Sequence, residues 1–300
     1  MYVRLIGSPN KVNHLMADGK TRSLDIQPLT PCLGAEVAGI DLTNLDATEF
    51  QSLHAAFLKY KVLVFRDQQL TRDAQKNFGR HFGQLQTHPA KTHLGAKGDP
   101  EIFEINITER THVANGELWH TDLSCEPIPP LASILYITEV PPSGGGDTLF
   151  ANMNQAYTSL SEPIQNALLD FTAFHSGEKD LKAYGYSLKP GQTYPSSHHP
   201  VVTEHPETGE PILFVNEAFT DHIENLTPSE SDAWLNMLYR HIERNTRLHC
   251  RVKWQRNTVV MWDNRAVHHH AVWDYYPETR RGERVTVKCP SAPNAYRRPS

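Results

Sequence analysis

The apolar residues of this chain come mostly in runs that are strand-long and too short for an ordinary helix. KVLVFRD (Lys61–Asp67) is one continuous run, and ASILYITEV (Ala132–Val140), TVVMWD (Thr258–Asp263) and ERVTVK (Glu283–Lys288) also read as strands. EIFEINI (Glu101–Ile107) alternates as a strand does, and HCRVKWQ (His249–Gln255) is a further candidate. LDIQPLTPCLGAEVAGIDL (Leu24–Leu42) reads as short strands broken by Gly34 and Gly39. Helical spacing is clear at fewer places. Phe50, Leu53, Ala56 and Phe57 recur at three and four residues within Thr48–Tyr60. A second helix is expected from Thr71, as N-cap, through Phe82. Others are expected near Ser159–Asp170 and over Pro228–Arg244. Strands outnumber helices and turns separate them, which predicts a mainly β fold with flanking helices, a sandwich or barrel with helices outside.

No internal repeat and no linker divides the 300 residues. A chain of that length buries roughly three quarters of the surface it exposes when unfolded, so it needs no disulfide staples. Its four cysteines, Cys32, Cys125, Cys250 and Cys289, form no CxxC pair and suit a reducing, cytoplasmic setting. The first residues show no signal-peptide pattern, and no window approaches the ~18 apolar residues of a membrane span. The net charge of −5 speaks against general nucleic-acid binding. Residues 176–200, rich in Gly, Ser, Pro and Tyr, form a long irregular segment of the kind that covers a site or lies loose on the surface.

Chemistry concentrates in two places. In WHTD, His120 and Asp122 stand two apart, so an extended backbone points both to one face. An HxD pair alone is weak, since a surface hydrogen bond explains it equally well. A second histidine would complete the two-histidine, one-carboxylate facial set of non-haem Fe(II) oxygenases. That set leaves three positions open, two for an oxidisable co-substrate and one for O2. The second histidine is expected in the triplet His268–His270, of which period-2 geometry lets only some face the metal.

WHTD, GGGDT, ILFVNEAFT, VVMWDNRAVHHHAVWDYYP and RRGERVTV resemble, in order, the motifs of the taurine dioxygenase family of Fe(II)/2-oxoglutarate-dependent enzymes. LGAEVAGIDL and KVLVFRDQQLT also resemble that family, and the similarity runs from about Leu24 to Lys288. The resemblance implies a double-stranded β-helix, a jelly roll of the clavaminate synthase-like type. It divides the chain into an extension (1–23), a dioxygenase domain (24–290) and a tail (291–300). The family's W-D-N-R-x-x-x-H places the metal histidine at His269, giving His120, Asp122 and His269 as Fe(II) ligands. It places the 2-oxoglutarate carboxylate on Arg280, with Arg281 as rival, and on the hydroxyl of Thr148. Trp262 either walls that pocket or packs in the core. Gly144–Gly146 read as a turn and not as a phosphate loop, because no P-loop lysine follows.

For the prime substrate the resemblance points to His88 in FGQLQTHP, to Arg284 and to Asn115, although Lys91 stands where taurine enzymes have tyrosine. It implies hydroxylation of a small organic anion with release of succinate and CO2. On a sulfonate or sulfate ester, such hydroxylation ends in cleavage to an aldehyde. The resemblance also implies a homodimer or homotetramer. The 176–200 segment, with Tyr184, Tyr186 and Tyr194, reads either as a lid over the substrate or as a loose surface loop. Two other readings of the His-Asp-His set are a cupin-type, zinc-dependent hydrolase or lyase, and a ligand-binding jelly roll with structural histidines. Neither requires Arg280 and Thr148 as a carboxylate clamp.

Overall fold

The computed structural model describes residues 24–87, 98–112, 116–183, 185, 187–188 and 190–298. The chain is mainly β. Its first five strands are β1 (Asp25–Pro28), β2 (Ala35–Ala38), β3 (Val62–Phe65), β4 (Phe103–Ile107) and β5 (Ala132–Glu139). Next come β6 (Thr148–Asn152), β7 (Thr172–Ser176), β8 (Ser196–Pro200), β9 (Val202–Glu204), β10 (Pro211–Leu213) and β11 (Thr220–Ile223). The last are β12 (His249–Val252), β13 (Thr258–Asp263), β14 (Val267–Ala271), β15 (Arg280–Val287) and β16 (Asn294–Ala295).

Seven strands form the main sheet in the order β1-β2-β3-β13-β5-β15-β4, and β12-β6-β14 form a smaller sheet. All main-sheet pairs are antiparallel except β2 with β3. The continuous apolar runs are explained by burial on two sides. Val259 and Met261 of β13 join Leu63 and Phe65 under the helices, while Val260 and Trp262 face Phe150, Cys250 and Val267 of the smaller sheet. Each such aliphatic side chain contributes about 1.5–3 kcal/mol by leaving water.

Helix α1 (Ala47–Tyr60) packs Leu53, Ala56 and Phe57 on the outer face of the main sheet. It starts at Asp46, whose side chain accepts from the amides of Thr48 and Glu49 in a capping box. Helix α2 (Arg72–Arg80) is capped by Thr71, as the sequence predicts, and ends two residues before Phe82. The remaining helices are α3 (Met153–Thr158), α4 (Glu162–Leu168), α5 (Glu178–Ala183) and α6 (Pro228–Arg244); α3, α4 and α6 share one apolar cluster with β7, β9 and β10. Helix α3 has too few residues to show a period; the side chain of Asn152 starts it by accepting from the amides of Asn154 and Gln155. The expected helix over Ser159–Asp170 contracts to α4, with Pro163 in its first turn.

The 176–200 segment is more ordered than its composition suggests. Buried Leu181 anchors α5, and β8 pairs along β7. In the C-terminal tail, β16 pairs with β9, and Tyr296 packs edge-on against Tyr157. No helix among the described residues is long and apolar enough to cross a membrane. Residues 1–23, His88, Lys91, Asn115, Tyr184 and Tyr186 lie outside the described residues.

Candidate metal centre and its cavity

The histidine triplet lies on β14, so its members alternate between faces. His269 stands opposite Phe150 and turns toward the main sheet; its ring lies 4.8 Å from that of Trp262. His268 turns the other way, into a separate small cavity beside Trp119, Asn216 and Tyr239. Burial pushes the His268 imidazole down to about 3. His270 lies against Trp119, with ring centroids 5.5 Å apart.

The WHTD segment pairs with this strand at one bridge. His120 N donates to His269 O at 3.0 Å, and His269 N donates to His120 O at 2.8 Å. Directly opposed residues of an antiparallel pair project to the same side, which brings the two imidazoles to a centroid distance of 4.0 Å. Asp122 follows on the same side. Its Oδ1 lies 3.9 Å from His120 Nε2 and 3.8 Å from His269 Nε2.

Those separations are too long for hydrogen bonds. The ligand atoms of the three residues all lie within 4.8 Å of one another, a group that could hold a metal ion. His120 Nδ1 lies 2.7 Å from the carbonyl of Leu118; donation there leaves the Nε2 lone pair facing Asp122. Burial is the largest influence on both rings and keeps them below the ordinary imidazole value, in the form that offers a lone pair. Burial alone would raise the Asp122 carboxyl, but Arg284, His269 and His120 hold it well below the usual carboxylate range.

Asp122 is fixed from several directions. Ser133 Oγ donates to its Oδ2 at 2.7 Å, and Arg284 Nη1 donates to its Oδ1 at 2.8 Å. The side chain of Asn264 grips the backbone, with Oδ1 accepting from Asp122 N at 2.8 Å and Nδ2 donating to Asp122 O at 3.0 Å. The WDNR stretch thus has separate duties. Trp262 walls the cavity, Asp263 and Arg265 lock the turn, and Asn264 positions Asp122.

The three residues open on a cavity of about 280 Å³ between the two sheets. Strand β15 supplies its cations. Arg280, Gly282 and Arg284 share one face of this strand, and both arginines line the cavity. Arg281 points the other way, donating to Glu139 and Asn106, and Glu283 is bound by Arg72 of α2. A Cβ at Gly282 would come within 2.5 Å of the Tyr136 carbonyl, so only glycine fits between the two arginines.

Arg280 is buried over the ring of Trp254, 5.3 Å away, and its Nε has no hydrogen-bond partner. Burial lowers its guanidinium, opposed by Tyr275 and Asp147. Thr148 lines the same cavity, and its Oγ1 accepts from Trp254 Nε1 at 3.0 Å. The glycines of GGGDT make room for this end of the cavity. Gly146 adopts φ +70°, and a Cβ there would meet Arg280 Cδ at 3.0 Å and the Tyr275 ring at 3.1 Å.

Of the nine site residues expected from sequence, the structure gathers His120, Asp122, His269, Thr148, Trp262, Arg280 and Arg284 around one cavity. His88 and Asn115 fall outside the described residues. Ser133, Asn264, Tyr275 and Asp180 were not foreseen. Asn264 alone carried a signal, being part of the WDNR motif that located His269.

A sheet sandwich with a His-Asp-His group and a buried arginine in one cavity defines a candidate metal-dependent enzyme for an anionic ligand. The chain belongs to the taurine catabolism dioxygenase TauD, TfdA family, whose profile matches residues 25–286. It is 34% identical over 288 residues to an alpha-ketoglutarate-dependent sulfonate dioxygenase of Saccharomyces cerevisiae, covering 91% of this chain and 69% of that protein. It is 35% identical to an alkylsulfatase of Acinetobacter baylyi, covering 89% of this chain and 86% of the relative. A crystal structure of a taurine dioxygenase from Burkholderia xenovorans superposes with a TM-score of 0.75 at 34% identity, over 88% of this chain and 89% of that one.

Proposed function

We propose that this protein is an Fe(II)- and 2-oxoglutarate-dependent dioxygenase built on a double-stranded β-helix, acting on a small organic anion. His120 Nε2, Asp122 and His269 Nε2 hold the iron. The donor set fits: two neutral imidazoles and one carboxylate on one side leave the other side open. Bound iron supplies the O2 activation that couples 2-oxoglutarate decarboxylation, to succinate and CO2, with hydroxylation of the substrate.

The protein's own residues bind, orient and exclude water. Arg280 takes the distal carboxylate of 2-oxoglutarate, since a buried guanidinium with an unpartnered Nε calls for an anion. Thr148 accepts from Trp254 and so keeps its hydroxyl hydrogen to donate to the same carboxylate. Trp262, against His269, shields the cavity on the iron side. Arg284 lies at the other end of the β15 face, ~13 Å along the strand at ~3.3 Å per residue. There it meets the anionic end of the prime substrate, assisted by His88 and Asn115.

Relatives named for sulfonates, sulfate esters and alkyl sulfates support a sulfonate or sulfate ester as that anion. Hydroxylation of the carbon bearing the sulfonate or ester oxygen then gives an aldehyde: the hydroxyl loses its proton as the C–S or C–O bond breaks, and sulfite or sulfate leaves with the bonding pair. A zinc hydrolase or lyase is not favoured, because it gives Arg280 and Thr148 no partner.

The observation that carries this reading is Arg280 in the same cavity as His120, Asp122 and His269. Adding Fe(II) and 2-oxoglutarate with oxygen excluded is expected to produce a weak charge-transfer band in the visible. A screen of sulfonates, alkyl sulfates and aryloxyacids is expected to release succinate on admitting air. No band and no succinate would end it.

A further inference from the structure

Two histidines that the cavity does not use lie on the outer face of the three-stranded sheet β11-β7-β8. Alternation buries Ala173, His175, His199 and Ile223 on one face of that sheet and turns Phe174, His198 and His222 to the other. Register sets these three in one row, with His222 opposite Phe174 and Phe174 opposite His198. The two imidazoles flank the Phe174 ring at centroid distances of 5.3 and 5.0 Å. Glu224 follows His222 by two residues and so projects to the same face, and its amide donates to the carbonyl of Thr172 at 2.8 Å.

Both rings converge on one carboxylate oxygen. Glu224 Oε1 lies 2.8 Å from His198 Nε2 and 3.3 Å from His222 Nε2. The other nitrogen of His222, Nδ1, lies 2.8 Å from Asp221 Oδ2. A bulge between Thr220 and His222 takes Asp221 out of register with β7 and sets it beside the ring of its neighbour.

A neutral imidazole carries one N–H. With Nδ1 donating to Asp221, Nε2 of His222 turns its lone pair on a carboxylate oxygen, and two lone pairs repel unless a cation lies between them. A zinc ion bound to a nitrogen and an oxygen at ~2.1 Å, with a tetrahedral angle, holds them ~3.4 Å apart. His222 Nε2 and Glu224 Oε1 already stand near that spacing, and His198 Nε2 need withdraw by only ~0.6 Å to match it. A carboxylate on the outer nitrogen of an imidazole is the usual support behind a metal-bound histidine.

We infer that His198, His222 and Glu224 form a second divalent-cation site, separate from the His-Asp-His group, that takes an ion of the zinc class with water completing its coordination. Imidazole nitrogens favour Zn(II), Cu(II) or Ni(II), whereas Mg(II) and Ca(II) take oxygen ligands. The bound ion joins β8 to β11 across β7. Strand β8 ends the 176–200 segment, and α5 of that segment borders the cavity through Asp180, so the ion braces one wall of the cavity from outside.

The test titrates the metal-free protein with Zn(II) in competition with a chromophoric chelator. The wild type is expected to bind two equivalents. His198→Ala/His222→Ala is expected to bind one, with unchanged affinity at the site that remains, which also shows that the variant is folded. His269→Ala is expected to keep the equivalent held by His198, His222 and Glu224. Asp221→Ala, which removes only the outer carboxylate, is expected to weaken that equivalent by about 10- to 100-fold. An excess of Mg(II) is expected not to displace it.

Two equivalents retained by His198→Ala/His222→Ala, or one equivalent in the wild type that His269→Ala abolishes, would overturn the assignment and leave the three side chains as a surface ion-pair group. One equivalent in the wild type that His198→Ala/His222→Ala abolishes would uphold this site and count instead against the His-Asp-His group.

Discussion

Asp122 and Asp263 are both buried carboxylates beside an arginine and a histidine, and both are held well below the usual carboxylate range against the cost of burial. Around Asp263 the polar partners close completely. Its Oδ1 accepts from Arg265 N at 3.0 Å and Nε at 2.8 Å, and its Oδ2 from Arg265 Nη2 at 2.8 Å and His205 Nε2 at 3.0 Å. His205 Nδ1 accepts from the amides of Glu207 and Thr208, and Arg265 Nη1 reaches Glu207 at 2.7 Å. This cluster ties the β13–β14 turn to the loop between β9 and β10.

Around Asp122 the partners stop short. Two imidazole nitrogens wait beyond hydrogen-bonding distance, and the group opens on a cavity. Composition is nearly the same in the two places. A saturated cluster stabilises the fold, whereas one with converging, unspent lone pairs can take a guest.

The sharpest way to break this contrast is within the histidine triplet. His269→Ala is expected to reduce bound iron and succinate release to background, measured by metal analysis and product assay. His268→Ala is expected to keep most of both. A reversal would move the metal histidine by one residue.

Next in size are the buried cations and their partners. Arg280→Ala is expected to weaken 2-oxoglutarate binding by ~3–5 kcal/mol, read from its half-saturation concentration. Arg281→Ala, whose side chain faces Glu139 outside the cavity, is expected to change it little.

Asp263→Asn is expected to cost a similar ~3–5 kcal/mol, but in denaturant unfolding of the metal-free protein. Asp122→Asn is expected to cost clearly less there while abolishing iron binding. The pH dependence follows from the depressed Asp263 carboxyl. Its stabilisation is fully present above the ordinary carboxyl value of about 4. That stabilisation is lost as pH falls further, through the folded-state value. The gap between wild type and Asp263→Asn should therefore be widest near neutrality and narrow in acid.

The smallest effect is at Ser133, which holds Asp122 Oδ2. Ser133→Ala is expected to weaken Fe(II) binding by about tenfold, seen in a metal titration, with little change in folding.

Much of the site was legible because its residues are close in sequence or fixed by strand alternation. His120 and Asp122 share an extended stretch, and alternation along β14 separates His269 from its neighbours once one member faces inward. Arg280 and Arg281 could not be ranked by alternation until β4 and β5 gave β15 an inner and an outer face. Ser133 and Tyr275 carried no mark at all. One is an ordinary serine inside an apolar strand, and the other is one tyrosine of an adjacent pair. Asp180 lay in a stretch read as irregular, where no period indicates which way a side chain points. The helix α3 was missed because six residues are too few to show a repeat.

The sequence by itself determined the strand-rich architecture, the helix cap at Thr71, and the residue types able to bind a metal and an oxoacid. These follow from local spacing, hydrophobic alternation and side-chain chemistry. Only the tertiary structure decided which side chains converge: the bridge between His120 and His269, the grip of Asn264 on Asp122, and the entry of Arg280, Arg284 and Asp180 into one cavity. Convergence joins residues more than a hundred positions apart, and strand pairing and register, not local propensity, set those distances.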